Sequence, residues 1–278
     1  MLIVLFWLAT AGWYVHREMA PFWNADSAPP FAIDLTDEAV RQSLPVHWTL
    51  YRSGQKSSQL QTTVQYHDAE DEFSLNCLMW TLPLTPGITI SKYSSSYRVT
   101  RNGRLIETHT YIACREPAEL SMDVTTRLSG QTAIVTSQFR TPWGNLDAEP
   151  QNIPVTVSGA INPLHPVHRI NNLRPGQRWI QPLTDPLADA QRIALLALAK
   201  TLIGVDVKQF AGEAKPQRLI AEVTGPKPIE WHGELHECHV IEYRGDSHSA
   251  RTWVRVKDGW VLQQEAFAAG DEWTMQRN

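Results

Sequence analysis

The chain has 278 residues, of which 42% are hydrophobic and 19% are charged, and its formal net charge is −4. This composition is typical of a globular protein and excludes a disordered one, and the negative charge gives no basic footprint for nucleic acid. The length suits one large all-β domain or two smaller ones. Eleven tryptophans supply large apolar area for cores, interfaces or ligand cavities.

The first predicted element is a membrane anchor. Residues 2–15, LIVLFWLATAGWYV, form an uncharged run that is followed by Arg17 and Glu18. The run is short for a bilayer span, which needs about 20 apolar residues. A cleaved signal peptide would need a basic residue before the run, and a core helix would need a polar face; the run has neither. We therefore expect residues 1–23 to be an uncleaved signal anchor.

The body that follows the anchor can be placed on either side of the membrane. The positive-inside tendency, applied to Arg17, favours a cytoplasmic body. A single anchor followed by a proline-rich spacer at 24–45 and a β-rich domain at 46–278 is instead typical of a periplasmic protein. We expect this extracytoplasmic location. The domain itself can divide into two lobes, 46–145 and 170–278, joined by an irregular crossing loop.

Alternating apolar and polar residues predict a series of strands from His47 onward. A segment rich in proline, asparagine and glycine, from Thr141 to Trp179, predicts an irregular loop. The strands resume near Arg218, and several hairpins in order indicate an antiparallel meander. The turn signals between successive strands are Ser53-Gly54, Asn102-Gly103, Ser129-Gly130 and His232-Gly233.

One segment, residues 186–203, predicts a long helix. Asp185 can cap its start and Gly204 can close it, and apolar side chains cover most of its circumference. Such a helix should be buried against a sheet. The predicted fold class is therefore mainly β (α+β): a curved antiparallel sheet, or half-barrel meander, packed on one long helix and preceded by the N-terminal membrane anchor.

A hairpin near the end of the chain has apolar residues on both faces. Its sequence is ARTWVRVKDGWVLQQEAF, residues 250–267. A two-residue turn at Asp258-Gly259 would pair Arg255 with Leu262 and place the valines on the other face, covered by the 186–203 helix. The amphipathic face suits a cavity wall or groove edge; the alternative is that these side chains simply cover the sheet. The predicted ligand-binding residues are Trp253, Arg255, Trp260 and Leu262.

The segment WHGELHECH carries the alternative site. Its side chains His232, His236, Cys238 and His239 are of the types that bind zinc or copper. On a strand, His236 and Cys238 share a face while His239 points the other way. The spacing matches no standard zinc pattern, so we favour structural histidines over a metal site. An odd count of three cysteines allows at most one internal disulfide, and we expect three reduced thiols.

Catalytic motifs are missing from the sequence. It contains no nucleophile elbow, no H-E-x-x-H zinc motif and no glycine-rich phosphate loop. We therefore predict no catalytic residue and no cofactor, and expect a binding protein rather than an enzyme.

Four stretches carry a resemblance to known proteins: HWTLYRSGQK, LRPGQRW, LIAEVTGPKPIEWHGELHECHVIEY and ARTWVRVKDGWVLQQEA. Together they resemble uncharacterised single-anchor envelope proteins of planctomycete-type bacteria. Their β-rich body is similar to the half-barrel of the periplasmic lipoprotein carrier and receptor (LolA/LolB-like), and the order of phrases is similar to β-domains that accompany transglutaminase-like modules. The carrier resemblance implies a curved sheet around a helix and a cavity for acyl chains. The chain departs from it by lacking a lipobox cysteine and by having its helix mid-chain.

These observations predict a non-enzymatic, membrane-tethered envelope protein that binds an apolar ligand, such as a lipid or acyl chain, or a protein partner. The membrane is an expected partner through residues 1–23, and nucleic acid is not. A metal-binding protein or metal-dependent envelope enzyme, using the histidine–cysteine group, is the alternative of a different class. A purely structural scaffold is the third.

Overall fold

Strands make up most of the described chain. The computed structural model describes residues 44–85, 88–100, 105–116, 118–130, 132–154, 167–170, 173–182, 218–245, 248–268 and 271–278. The strands are β1 (Val46–Arg52), β2 (Gln55–His67), β3 (Glu72–Thr85), β4 (Ile88–Thr100), β5 (Leu105–Glu116), β6 (Leu120–Ser129), β7 (Thr132–Thr141), β8 (Gly144–Pro154), β9 (Arg178–Pro182), β10 (Arg218–Trp231), β11 (Glu234–Arg244), β12 (His248–Arg255), β13 (Val261–Ala268) and β14 (Asp271–Arg277).

All fourteen strands belong to one antiparallel sheet. Its order is β8-β7-β6-β5-β4-β3-β2-β1-β14-β13-β12-β11-β10-β9. The described chain therefore starts in the middle of the sheet, runs outward to β8, and returns from β9 until β14 pairs with β1. That closing pair sets Leu50 opposite Met275 and Trp48 opposite Arg277. Strand pairs that are adjacent in sequence form the rest of the sheet, so local hairpins account for most of its pairing.

Alternation along each strand divides the sheet into a buried inner face and an exposed outer face. On β7, for example, Ala133, Val135, Ser137 and Phe139 are buried while their neighbours are exposed. Successive side chains of a strand point to opposite faces, which is why the period-two pattern gives this division. The largest core cluster lies on the inner face and joins residues of β1 to β4 with residues of β9 to β13.

The predicted fold class, a mainly β (α+β) sheet packed on one long helix, is wrong. The described residues form an antiparallel sheet and include no helix. An apolar sheet face must be buried, and here strands from the two halves of the same sheet share one core, so the sheet covers part of its own inner face. The segment 186–203 lies outside the described residues.

The predicted anchor, residues 1–23, also lies outside the described residues, as does the spacer 24–45 apart from its last two residues. In the part of the chain that the structure describes, no helix is long and apolar enough to span a bilayer. The two predicted lobes, 46–145 and 170–278, both contribute strands to the one sheet.

Two predicted hairpin turns are confirmed by their backbone. Ser53 and Gly54 have φ values of 48° and 78°, and His232 and Gly233 have 53° and 78°. Positive φ at both central residues is the geometry of the two-residue type I′ turn, which matches the twist of the flanking strands. The Asn102-Gly103 signal lies outside the described residues, although β4 and β5 on either side of it do pair.

Three strands had no sequence prediction: β8, β9 and β14. Pro150 and Pro154 lie in β8, and Pro182 ends β9. Proline cannot donate to a strand ladder, so it is tolerated at sheet edges, and these two strands end the order of the described sheet. The third, β14, alternates polar residues with half-buried Trp273 and Met275. That alternation is typical of a strand.

Candidate functional site

The hairpin of β12 and β13 has a longer turn than predicted. The backbone N–H of Arg255 donates to the carbonyl of Trp260 at 2.7 Å, so residues 256–259 form a four-residue loop. The two-residue turn at Asp258-Gly259 is therefore wrong. The physical reason is the carboxylate of Asp258, which accepts hydrogen bonds from the Trp260 N–H at 3.2 Å and from the Arg255 side chain. These bonds stabilise the wider loop.

A β-bulge changes the register just after this loop. Trp253 pairs with Gln263, but Val254 pairs with Val261, so Leu262 is the extra residue on β13. The pairing predicted for Leu262 is therefore absent. The two valines lie in the main core, while Leu262, 1% exposed, lines a cleft on the outer face.

Val254 and Val261 share the main core with Val167 and Ile170, which belong to the predicted irregular loop. Its His168 carbonyl accepts a hydrogen bond from the Val261 N–H at 3.0 Å. The His168 ring is 2% exposed, and its Nε2 lies 2.6 Å from the hydroxyl of Thr62. His168 lies in the predicted irregular loop and is therefore a buried link between the hairpin and β2.

Near this end of the sheet, two indoles and two guanidinium groups form a cluster. The guanidinium of Arg255 lies 4.6 Å from the ring centre of Trp260 and 5.3 Å from that of Trp231. The guanidinium of Arg277 lies 4.2 Å from the Trp260 ring. Cations attract the faces of aromatic rings at such distances. We call Trp231, Arg255, Trp260 and Arg277 the indole–guanidinium cluster.

Arg255 has a bidentate partner within the protein. Its Nε and Nη2 donate to the two carboxylate oxygens of Asp258 at 2.9 and 2.6 Å. Burial acts to raise the pKa of Asp258, but the hydrogen bonds from Arg255 and Trp260 and the charges of Arg255 and Arg169 outweigh it, so the pKa is lowered. The charge of Arg255 is therefore balanced inside the cluster.

A cleft of about 300 Å³ lies beside the cluster, between the end of β10 and the end of β14. Its lining is mixed, and Ile229, Trp231 and Leu262 are the apolar residues in it. The indole N–H of Trp231 donates to the carbonyl of Arg277 at 2.8 Å, which fixes one wall. The polar residues around it are Glu230, His232, Gln263, Gln276, Arg277 and Asn278.

Of the four predicted ligand-binding residues, Leu262 lines this cleft. Arg255 and Trp260 lie in the cluster. Trp253 donates its indole N–H to Glu265 at 2.9 Å. Trp253, Arg255 and Trp260 thus contact other side chains of the protein. The open cleft lies to one side of them, where Leu262 is the one predicted residue that lines it.

Two of the four predicted metal ligands lie beside the same tryptophan. The rings of His232 and His236 lie 4.4 and 5.5 Å from the Trp231 ring. Cys238 is fully buried, and His239 pairs with Val254 on the inner face. Among the described residues, no group of three or more His, Cys, Asp or Glu side chains is placed to hold a metal ion.

Burial also lowers the reactivity of the Cys238 thiol. It raises the pKa of Cys238 to about 11, so the thiol is protonated at neutral pH and is a poor nucleophile. Burial likewise raises the pKa of Cys77 to about 12. All three cysteines are free thiols.

Sequence reasoning missed the central role of Trp231. In the sequence, Trp231 is only the first residue of the histidine-rich segment. In the structure, its ring contacts His236 from one candidate group and Arg255 from the other. Its contact with the Arg277 carbonyl joins residues 46 positions apart, and no local pattern indicates such a contact. Asp258 was noted only as a turn residue.

Comparisons with known proteins add little to this geometry. No family model and no curated protein matches the chain. Among solved structures, the chain is similar to a β-barrel-like protein of the domain of unknown function DUF1849 from Brucella abortus. The identity is 9%, the TM-score is 0.39, and the alignment covers 84% of this chain and 96% of that one. The resemblance to planctomycete-type envelope proteins and to the LolA/LolB-like half-barrel stays a prediction.

Proposed function

We propose that this protein is a non-enzymatic binding protein that takes up the acyl end of a lipid, or of a lipid-modified partner, in the cleft between β10 and β14. The observation that carries the proposal is the cleft of about 300 Å³ that Ile229, Trp231 and Leu262 line. Leu262 is 1% exposed, so the half-buried Ile229 and Trp231 offer most of the apolar surface that a ligand would contact. Ligand sites are mostly apolar concavities with a few polar groups that orient the ligand.

The polar residues around the cleft favour an uncharged linkage next to the acyl chain. The amides of Gln263, Gln276 and Asn278 can donate hydrogen bonds to an ester or amide carbonyl. Glu230 and Arg277 both line the cleft and carry opposite charges, so these two side chains add no net positive charge to attract a free carboxylate. The ligand class that fits is therefore an acyl ester or acyl amide rather than a free fatty acid.

The wall of the cleft is held in place by other side chains. The Trp231 indole is fixed by the Arg277 carbonyl and by its ring contacts with Arg255 and His236. A preorganised wall spares the ligand the free-energy cost of ordering it. A volume of about 300 Å³ is at the lower end of the range for small-molecule pockets. The cleft therefore suits one end of a ligand and not a whole lipid.

Acyl binding is favoured over the metal-dependent alternative because the proposed metal ligands do not converge. The Cys238 thiol is buried and has a pKa raised to about 11. The ring of His236 is packed on Trp231, and His239 lies on the opposite face of the sheet. Only a large rearrangement of the sheet would bring the Cys238, His236 and His239 side chains together around one metal ion.

Native mass spectrometry of the full chain in an uncharged detergent, with monopalmitoylglycerol as the probe, tests the proposal. Gln276→Trp places a bulky ring at the rim of the cleft, where the native side chain is exposed, and should weaken probe binding about tenfold or more. Gln65→Trp, at an exposed position of β2, is the matched control and should bind like the wild type.

Two results would count against the proposal in different ways. Equal weakening by Gln276→Trp and Gln65→Trp would remove the cleft as the binding site. A wild-type protein that carries no monopalmitoylglycerol, while remaining folded by circular dichroism, would remove acyl binding as the function.

The tether is a separate part of the proposal and rests on the sequence of residues 2–15. We expect the full chain to sediment with membranes after an alkaline wash, and a chain that lacks residues 1–23 to stay in the supernatant. Protease added outside spheroplasts should digest the β-rich body if that body is periplasmic. A body that is cleaved only after lysis would place it in the cytoplasm instead.

A further inference from the structure

A second concavity lies on the outer face of the sheet, on strands that take no part in the acyl cleft. One row of cross-strand neighbours crosses it: Trp80 pairs with Lys92, Lys92 with Ala113, Ala113 with Ser121, and Ser121 with Arg140. The small side chains of Ala113 and Ser121 lie between the two cations. They form part of the floor of a groove of about 580 Å³, which we call the basic groove.

The basic groove concentrates cations that have no acidic partner. Lys92, Arg115 and Arg140 line it, with Glu119 as the one carboxylate that lines it among the described residues. Within the described ranges, no carboxylate forms an ion pair with any of these three cations. Other strand cations are paired, as in Arg98–Glu72, Arg127–Glu107, Arg178–Glu222 and Arg251–Glu265. A local excess of positive charge on a chain of net charge −4 indicates a site for an anion.

Exposed aromatic side chains accompany the cations. The Lys92 ammonium lies 5.7 Å from the ring centre of Tyr111. Trp80 is 46% exposed, and Trp143 is 76% exposed next to Pro142, which lines the end of the groove. An indole leaves a large apolar area in water at such a position. Tryptophan beside lysine and arginine is favoured where apolar and charged groups meet, at the headgroup level of a membrane.

We infer that the basic groove binds the phosphate headgroup of an anionic phospholipid. Lys92 and Arg140 contact the phosphate from the two sides of the groove, and Trp80 and Trp143 contact the glycerol and ester region. Lys92 and Arg140 are three strand spacings apart, or about 14 Å, a span that two long side chains can narrow around one headgroup. The exposed indoles favour a phospholipid over free phosphate, because a free anion gives them no apolar surface to cover.

This inference is independent of the acyl cleft, because the two sites share no residue and can fail separately. The test titrates the full chain, in dodecyl maltoside micelles, with dihexanoylphosphatidylglycerol and follows binding by calorimetry. Dihexanoylphosphatidylcholine and glycerol 1-phosphate are the comparison ligands. We expect the anionic lipid to bind most tightly, and its affinity to fall as sodium chloride is raised, because salt screens exposed charges.

Charge variants locate the binding. Lys92→Gln and Arg140→Gln should each weaken phosphatidylglycerol binding about fivefold, the usual effect of one basic residue near an anionic lipid surface. Lys56→Gln and Arg174→Gln remove exposed cations outside the groove and should leave the affinity unchanged. Equal effects of the groove and control substitutions would overturn the inference.

Indole variants separate the two sources of phosphate. Trp80→Ala and Trp143→Ala should weaken binding of the lipid and leave the weak binding of glycerol 1-phosphate as it is. Glycerol 1-phosphate that binds as tightly as the lipid, with no effect of either substitution, would identify a free-phosphate site and overturn the lipid headgroup. Equal binding of phosphatidylcholine and phosphatidylglycerol would exclude charge recognition.

Discussion

Two regions of the molecule use the same residue types in opposite ways. In the indole–guanidinium cluster, the Arg255 side chain is 12% exposed, stacks on two indoles and is bound by Asp258. In the basic groove, Arg140 is exposed and has no carboxylate partner in the described part of the chain. The difference separates an arginine whose charge is balanced inside the protein from one whose charge is available to a ligand.

The comparison also separates residues that shape a site from residues that are available to a ligand. Arg255 and Asp258 neutralise each other and support the wall of the acyl cleft through Trp231. Lys92 and Arg140 support little of the fold and present their charge to solvent. Substitutions in the first region should therefore change stability, whereas those in the second should change binding alone.

The largest effect is expected at the cleft floor. Leu262→Ala removes a side chain that is 1% exposed and should lower the free energy of unfolding by about 3 kcal/mol, because it leaves a cavity. Leu235→Ala, at a position that is 77% exposed on β11, is the matched control and should change it by less than about 0.5 kcal/mol. Urea denaturation measures both. Similar losses for the two variants would show that Leu262 is not packed as described.

The second effect contrasts the two arginines directly. Arg255→Gln leaves the Asp258 carboxylate without its cation and removes two ring contacts, so it should lower the free energy of unfolding by about 2 kcal/mol. Arg140→Gln should change it by less than about 0.5 kcal/mol, since that side chain is exposed. If Arg140→Gln lowers the free energy of unfolding as much as Arg255→Gln does, then the two arginines contribute equally to stability and the proposed difference between them is wrong.

Most of the strand pattern could be predicted from the sequence. The location of most strands and of the Ser53-Gly54 and His232-Gly233 turns followed from period-two alternation and turn chemistry. The sequence treats the two candidate groups as separate sites, whereas the structure brings members of both together, since His236 and Arg255 contact the same Trp231 ring. The binding role of either group stays a prediction.

Register and long-range contacts could not be predicted in the same way. The bulge that turns Leu262 toward the cleft accompanies a four-residue loop, and that loop depends on side-chain bonds of Asp258. The pairing of β1 with β14 joins residues more than 200 positions apart, and it decides where the sheet buries its inner face. The sequence patterns assign that burial to residues 186–203, because this segment is the one long apolar helix that they predict.

A smaller effect is expected from the hydrogen bond that fixes the cleft wall. Trp231→Phe keeps an aromatic ring beside Arg255 but removes the N–H that donates to the Arg277 carbonyl, so it should cost about 1 kcal/mol of stability. It should also weaken binding of monopalmitoylglycerol, because the wall is no longer fixed. Trp143→Phe, on a 76% exposed side chain, should change neither stability nor acyl binding. An effect of Trp143→Phe on acyl binding would mean that the two sites are not separate.

The smallest effect depends on pH and concerns the same balanced pair. The pKa of Asp258 is lowered in the folded protein, so its carboxylate stabilises the fold at pH values above the ordinary aspartate value of 3.8. That contribution is lost as the pH falls through the lowered pKa, where the carboxyl group becomes protonated in the folded state too. Asp258→Asn should therefore be less stable than the wild type at pH 7, by less than about 1 kcal/mol, and the difference should vanish toward pH 2. Urea denaturation between pH 2 and pH 7 measures this difference. A gap of constant size across that range would mean that the role of Asp258 in the loop is geometric and does not depend on its charge.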